Sequence, residues 1–258
     1  MKKNEVKIKT PFKNTNIKKL KLAVCHGQGD RPYQEDSYAY NEHMSGRRFA
    51  AVVADGMGGI EGGKEVSSFA ADKLVSMAED IDDTEAVFEQ LSDIVCDINR
   101  EIIDRQIPGG STLASIYCNN QGIYWCCVGD SRVYLYRDNT LTQLNEDGDY
   151  LNRLFVRVLS GELPISSALS DPQKDSLASY MGYRRELTID GNIKPLAPCL
   201  GDRILICSDG IYNYISEKEL MEMLKEGVAE AAKKLEIYNN TKEFKNHDNY
   251  TALIIEFN

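Results

Sequence analysis

Runs that are almost wholly apolar, or that alternate apolar with polar residues, recur at Leu22–Cys25, Phe49–Ala54, Thr112–Cys118, Ile123–Val128, Arg132–Tyr136, Arg203–Cys207 and Tyr250–Phe257. Alternation with a period of two, or a short apolar run, predicts β-strands at these places. Val66, Phe69, Ala70, Leu74 and Met77 recur instead at helical spacing, as do Val87, Leu91, Ile94, Val95, Ile98 and Ile102, so two amphipathic helices are expected back to back behind the second strand. Three strands should follow as an antiparallel meander, joined by tight turns at Asn119-Asn120-Gln121-Gly122 and Gly129-Asp130-Ser131. A further helix is expected to start at Ser216, where Glu219 completes a capping box, and another to run from Val228 to Tyr238. Strands and helices in separate blocks predict an α+β fold with a largely antiparallel sheet. Residues 145–195, mixed in polarity and broken by Gly148, Gly161, Pro164, Pro172 and Gly182, read as an insertion carrying short helices.

With 258 residues, 42% of them apolar, the chain can build a substantial core. No apolar run of membrane-spanning length occurs and the basic start leads into no apolar signal core, so a cytoplasmic protein without membrane insertion is expected. Eight lysines against the single acid Glu5 in residues 1–21 mark a lysine-rich N-terminal tail, expected to be solvated and frayed. The remaining 237 residues are expected to form one domain, 22–258, with 22 basic and 39 acidic side chains. An acidic body of this kind argues against nucleic-acid binding, which needs a basic footprint.

The seven cysteines are odd in number, lack C-x-x-C pairing and mostly sit in apolar runs, which points to reduced, buried thiols. His26, His43 and His247 have no zinc-ligand spacing to them. Any metal should therefore be held by oxygen. Acidic residues at strand ends supply it: aspartate forms strands poorly and is costly to bury uncompensated, yet it bounds apolar runs in Arg31-Pro32-Tyr33-Gln34-Glu35-Asp36, Ala54-Asp55-Gly56-Met57-Gly58-Gly59, Ser208-Asp209-Gly210 and His247-Asp248-Asn249-Tyr250-Thr251. A sheet would present these groups together at one edge as hard ligands suited to magnesium or manganese.

From about Leu22 to Asn258 the chain resembles the metal-dependent serine/threonine protein phosphatases of type 2C. The resemblance is carried by Gly29-x-Arg31-x-x-Gln34-Glu35-Asp36-Ser37, Val53-Ala54-Asp55-Gly56-Met57-Gly58-Gly59, Gly110-Ser111-Thr112-Leu113, Val128-Gly129-Asp130-Ser131-Arg132, Cys207-Ser208-Asp209-Gly210-Ile211 and Asp248-Asn249-x-Thr251, in family order. It implies a four-layer α-β-β-α sandwich of two mainly antiparallel sheets flanked by helix pairs. It also implies two Mn2+ or Mg2+ ions, bridged by Asp55, with Asp209 and Asp248 completing the first and the Gly56 carbonyl binding the second. Glu35 and Asp36 would act from the outer shell, Arg31 would clamp the phosphate, and Asp130 matches a position at a weaker third metal. The implied reaction is hydrolysis of phosphoserine and phosphothreonine in proteins by a hydroxide bridging the two metals, without a phosphoenzyme. The implied setting is a monomer acting on phosphoprotein substrates opposite a cognate serine/threonine kinase.

Met57 stands where many relatives, the eukaryotic ones particularly, have a histidine; Asp-Gly-Met-Gly-Gly suggests a bacterial-type member in which water replaces that histidine as acid. The 145–195 segment matches the family's flap but carries Leu177-Ala178-Ser179-Tyr180-Met181-Gly182, a departure that bears on substrate choice. One rival reading is a nucleotide-binding P-loop at Gly58-x-x-x-x-Gly63-Lys64-Glu65, although Glu65 stands where a magnesium-binding hydroxyl is needed. The other is a non-catalytic relative that only binds partners.

Overall fold

A computed structural model describes residues 6–9, 17, 19–41, 48–57, 62–174, 176–241 and 244–258. In chain order its elements are β1 (Val6–Lys9), β2 (Lys19–Gly27), β3 (Ser37–Tyr40), β4 (Phe49–Ala54), β5 (Gly56–Met57), α1 (Gly62–Met77) and α2 (Val87–Asp104). There follow β6 (Gly110–Ser111), β7 (Leu113–Cys118), β8 (Ile123–Val128), β9 (Arg132–Arg137), β10 (Thr140–Gln143), α3 (Tyr150–Leu159), α4 (Ile165–Leu169) and β11 (Asp190–Gly191). The chain closes with β12 (Arg203–Cys207), α5 (Asp209–Tyr212), α6 (Glu217–Leu224), α7 (Val228–Thr241) and β13 (Tyr250–Phe257).

Two sheets dominate, one of order β1-β2-β13-β12-β9-β10 and one of order β11-β8-β7-β4-β3, and every pairing in them is antiparallel. The apolar runs are continuous because both faces of each sheet are covered. Along β4, Phe49, Ala51 and Val53 point into the layer between the sheets, whereas Ala50, Val52 and Ala54 point at α1 and α2. Along β13, Leu253, Ile255 and Phe257 join the same inter-sheet layer, while Ala252 and Ile254 face the side of α6 and α7. Three apolar layers thus separate four layers of structure, as an α-β-β-α sandwich requires. The capping box at Ser216 forms as expected, its hydroxyl accepting from the Glu219 N–H while Glu219 accepts from the Ser216 N–H, an arrangement worth about 1 kcal/mol.

Two expectations need correction. The lysine-rich segment does not stay a tail to residue 21: β2 already begins at Lys19, Ile17 and Leu20 are core residues, and β1 pairs with β2 from Val6↔Leu22 to Lys9↔Lys19. Lysines alternating with Leu20 and Leu22 place charge on one face and apolar bulk on the other, which net charge conceals. Nor do β7, β8 and β9 form a meander. Beyond Gly129, held at φ +91°, the chain leaves one sheet for the other, where β9 pairs with β12 and β10, and β11 takes the vacated edge of β8. The 145–195 segment does carry short helices, α3 and α4. Cys96 and Cys199 are exposed, unlike the other five cysteines. No helix among the described residues is long and apolar enough to cross a membrane.

Candidate active site

The site lies where strands of both sheets end at one edge. β4 delivers Asp55, β12 delivers Asp209 through Ser208, the approach to β13 delivers Asp248, the turn between β8 and β9 delivers Asp130, and the loop from β2 to β3 delivers Arg31, Glu35 and Asp36. Arg31, Glu35, Asp55, Gly56, Asp130, Asp209 and Asp248 all line one cleft of about 270 Å³. Of the residues expected to form the site, only Asp36 stands behind the wall, fully buried. Met57, Thr112, Leu177 and Asn249 complete the lining.

The loops are positioned by a few polar side chains. Asn249 donates to the carbonyls of Gln28 (2.7 Å) and Tyr33 (2.9 Å) and accepts from the Glu35 N–H (2.8 Å), tying the two acidic loops together. Gly29 sits at φ +61°, where a Cβ would lie 2.2 Å from the Asp248 carbonyl oxygen, so only glycine lets the loops approach so closely. The Thr112 hydroxyl accepts from the Asp55 N–H at 2.9 Å. Ser208 Oγ and Thr251 Oγ1 each donate to Asp36 Oδ2 at 2.7 Å. These roles of Thr112, Ser208, Thr251 and Asn249 do not follow from the sequence, although each residue stands inside a motif quoted above. Arg31 donates to Asp248 Oδ2 at 2.5 Å, so its guanidinium is engaged by a carboxylate rather than held free for phosphate.

Burial, reinforced by the charges of Asp36, Asp209, Asp130 and Asp248, raises the Asp55 carboxyl well above the ordinary range. Burial likewise pushes Asp36 up to about 6, helped by Asp209 and Asp248 and opposed by its two hydroxyl donors. Asp130 is raised to about 6 by burial and then by Asp209, and Asp209 is raised by burial and then by Asp248. Among the described residues no three His, Cys, Asp or Glu side chains form a ready-made chelating cluster; the carboxylates surround the cleft instead. The donor set still fits divalent cations: it is all oxygen, its members repel one another, and the buried Asp36 Oδ1 has no hydrogen-bond partner.

A consequence for the metal-free protein follows from these shifts. Folded Asp36 and Asp130 hold their protons up to about pH 6, whereas unfolded they would release them near 3.8. The native state therefore binds more protons in that window, and stability falls as pH rises through it. Thermal unfolding in a chelating buffer should show Tm declining from pH 4 to 7, with Mn2+ reversing the decline at pH 7. A Tm that climbs with pH would contradict the crowding of these carboxylates.

The P-loop reading places poorly. Gly58 to Glu61 lie outside the described residues, as does His43, but the strand before α1 belongs to an antiparallel sheet, where a P-loop needs a parallel βαβ unit. His247 is buried, stacked on Tyr250 and directed at the Gly210 carbonyl, a structural role.

A family model described as protein phosphatase 2C matches residues 26–242. The chain belongs to the protein phosphatase 2C family. It is accordingly a protein phosphatase, and the fold and motif order agree. This phosphatase is 29% identical over 238 residues, 88% of its own length and 92% of the relative's, to the serine/threonine phosphatase stp of Listeria welshimeri. Among solved structures it is similar to the serine/threonine phosphatase PstP/Ppp of Mycobacterium tuberculosis, with a TM-score of 0.71 and 26% identity, covering 92% of this chain and 98% of that one. A structure of the PstP catalytic domain in complex with two manganese ions matches with a TM-score of 0.64 and 25% identity over 92% of this chain and 97% of that one.

Proposed function

We propose that this phosphatase hydrolyses phosphoserine and phosphothreonine in proteins and needs two divalent cations, manganese or magnesium, to do so. The observation that carries the reading is the gathering of Asp55, Asp209, Asp248 and the Gly56 carbonyl around one cleft from strand ends of both sheets. Asp55, Asp209 and Asp248 would hold the cations together with the Gly56 carbonyl, with Glu35 in the lining and Asp36 behind it acting from the outer shell and Asp130 serving a weaker third. Bound there, the cations supply charge that acidifies water and offsets charge on the transferring phosphoryl oxygens. The chain's own residues do the rest: Asn249 and Thr112 fix the carboxylates, and Arg31 swings between Asp248 and a substrate phosphate. Asp55, Asp209 and Asp248 would be engaged by the cations and the Thr112 hydroxyl is engaged by the Asp55 N–H, so the reaction proposed is direct attack by water. The named activity of the Listeria relative and the two manganese ions of the PstP structure support the same reading. Such substrates require a serine/threonine kinase to make them, and the cytoplasm is where that pairing is proposed to operate. Calorimetric titration with Mn2+ should detect two strong equivalents per chain, reduced in Asp209→Asn; a chain that binds none would overturn the assignment.

Arg31 and Met57 give two further expected outcomes. Arg31→Ala should raise KM for a phosphopeptide, since a charge-assisted clamp of about 1.5–3 kcal/mol is lost, while freeing Asp248 keeps Mn2+ affinity near the parent value. An unchanged KM with weakened Mn2+ binding would reverse that assignment. Met57 lines the cleft on β5 and cannot donate a proton. If it faces the leaving group, Met57→His should change turnover of phosphoserine peptides more than of an aryl phosphate, whose leaving group needs no acid. Equal changes on both would show that position 57 only packs.

A further inference from the structure

Beside the active cleft lies a larger one, of about 400 Å³, between the last turn of α2 and the segment after Met181. Its rim carries Arg184 and Arg185, both exposed, with Tyr180 and Tyr183 beside them. Among the described residues every other arginine has a carboxylate or hydroxyl partner, but Arg184 and Arg185 have none. In a body so rich in acids, two unpaired guanidinium groups on one rim are the exception to be explained.

The rim is also held in place. Asn99, buried on α2, accepts from the Gly182 N–H at 2.6 Å and donates to the Tyr183 carbonyl at 3.1 Å. Met181 exchanges backbone hydrogen bonds with Ser111 of β6, and β6 pairs with β5, which lines the active cleft. The two clefts are therefore separated by little more than a two-stranded ribbon. Leu177 lines one and Tyr180 the other, three residues apart, so at those residues the two walls come within about 10 Å of each other. A bound peptide spans that distance in about three residues.

We propose that the Arg184–Arg185 cleft is a specificity subsite that takes an acidic side chain of the phosphoprotein substrate about three residues from the phosphoresidue. Planar guanidinium groups match carboxylates in geometry as well as charge. The inference rests on the phosphatase reading, and its test separates the two. Phosphothreonine peptides identical except for Glu or Gln at position −3 or +3 are compared by kcat/KM and, with the same peptides labelled, by fluorescence anisotropy. The parent enzyme should prefer Glu by about fivefold at one of the two positions, the size expected for exposed ion pairs. That preference should vanish in the Arg184→Gln/Arg185→Gln double variant and at high salt, with aryl phosphate turnover unchanged. A ratio of one at both positions in a parent enzyme that hydrolyses the peptides overturns the subsite and leaves the phosphatase reading intact. A Glu preference in binding without phosphate release does the reverse. The arginines could instead serve only the C-terminal end of the α2 dipole; a variant whose Tm falls while its Glu preference persists would establish that role and overturn the subsite.

Discussion

Asp55→Asn is expected to lower phosphopeptide turnover by about three orders of magnitude while leaving the metal-free protein as stable as the parent or more so. The loss follows from removing the charge at the centre of the proposed cation site, since transition-state charge stabilisation of this kind is worth about 3–4 kcal/mol. The gain follows from the same crowding that lifts the Asp55 carboxyl: burial and the charges of Asp36, Asp209, Asp130 and Asp248 all oppose its ionisation, and a neutral isostere relieves them. Steady-state phosphate release and thermal unfolding in a chelating buffer measure the two arms. Turnover within threefold of the parent would place the chemistry elsewhere, and a large drop in Tm would mean that Asp55 is structural.

Gly210→Ala should cost both stability and turnover, for a reason lying in the backbone rather than in charge. A Cβ at Gly210 would stand 1.9 Å from the Asn249 carbonyl oxygen and 3.1 Å from the Tyr250 Cα. Main-chain atoms cannot rotate aside, so α5 and the start of β13 must separate, carrying Asp209 and Asp248 apart. Overpacking of this kind costs about 1–3 kcal/mol, or roughly 3–10 °C in Tm for a chain of this size. A displacement near 1 Å at the site costs on the order of a hundredfold in rate. Activity assayed well below the lowered Tm isolates the second effect, and a variant as active and stable as the parent would refute the close approach.

The bounds of β4, β8, β12 and β13 were legible because sheets covered on both faces read as unbroken apolar runs between polar residues. A period of two says that a residue is in a strand but not which strand it pairs with, so the crossing of β9 into the other sheet could not be read, nor could the two-residue strands β5, β6 and β11. The start of β2 was hidden by lysines on its exposed face. Likewise for the site, acidic residues at apolar strand ends announced the cleft, and the motifs announced the family. What was not legible is how the acids are held. Asp36 meets Ser208 and Thr251 only because β12 and β13 pair Cys207 with Ala252, a register set by the whole sheet. The Arg31–Asp248 contact and the unpaired state of Arg184 and Arg185 also depend on neighbours distant in the chain.

The most direct measurement is phosphate release from phosphothreonine and phosphoserine peptides by the full chain, with Mn2+ present and then with excess EDTA. Turnover with Mn2+, abolished by EDTA and restored on adding Mn2+ back, is the result expected of a cleft whose ligands are all oxygens. Full turnover in excess EDTA, or none with Mn2+ from a folded chain that binds the ion, would contradict it.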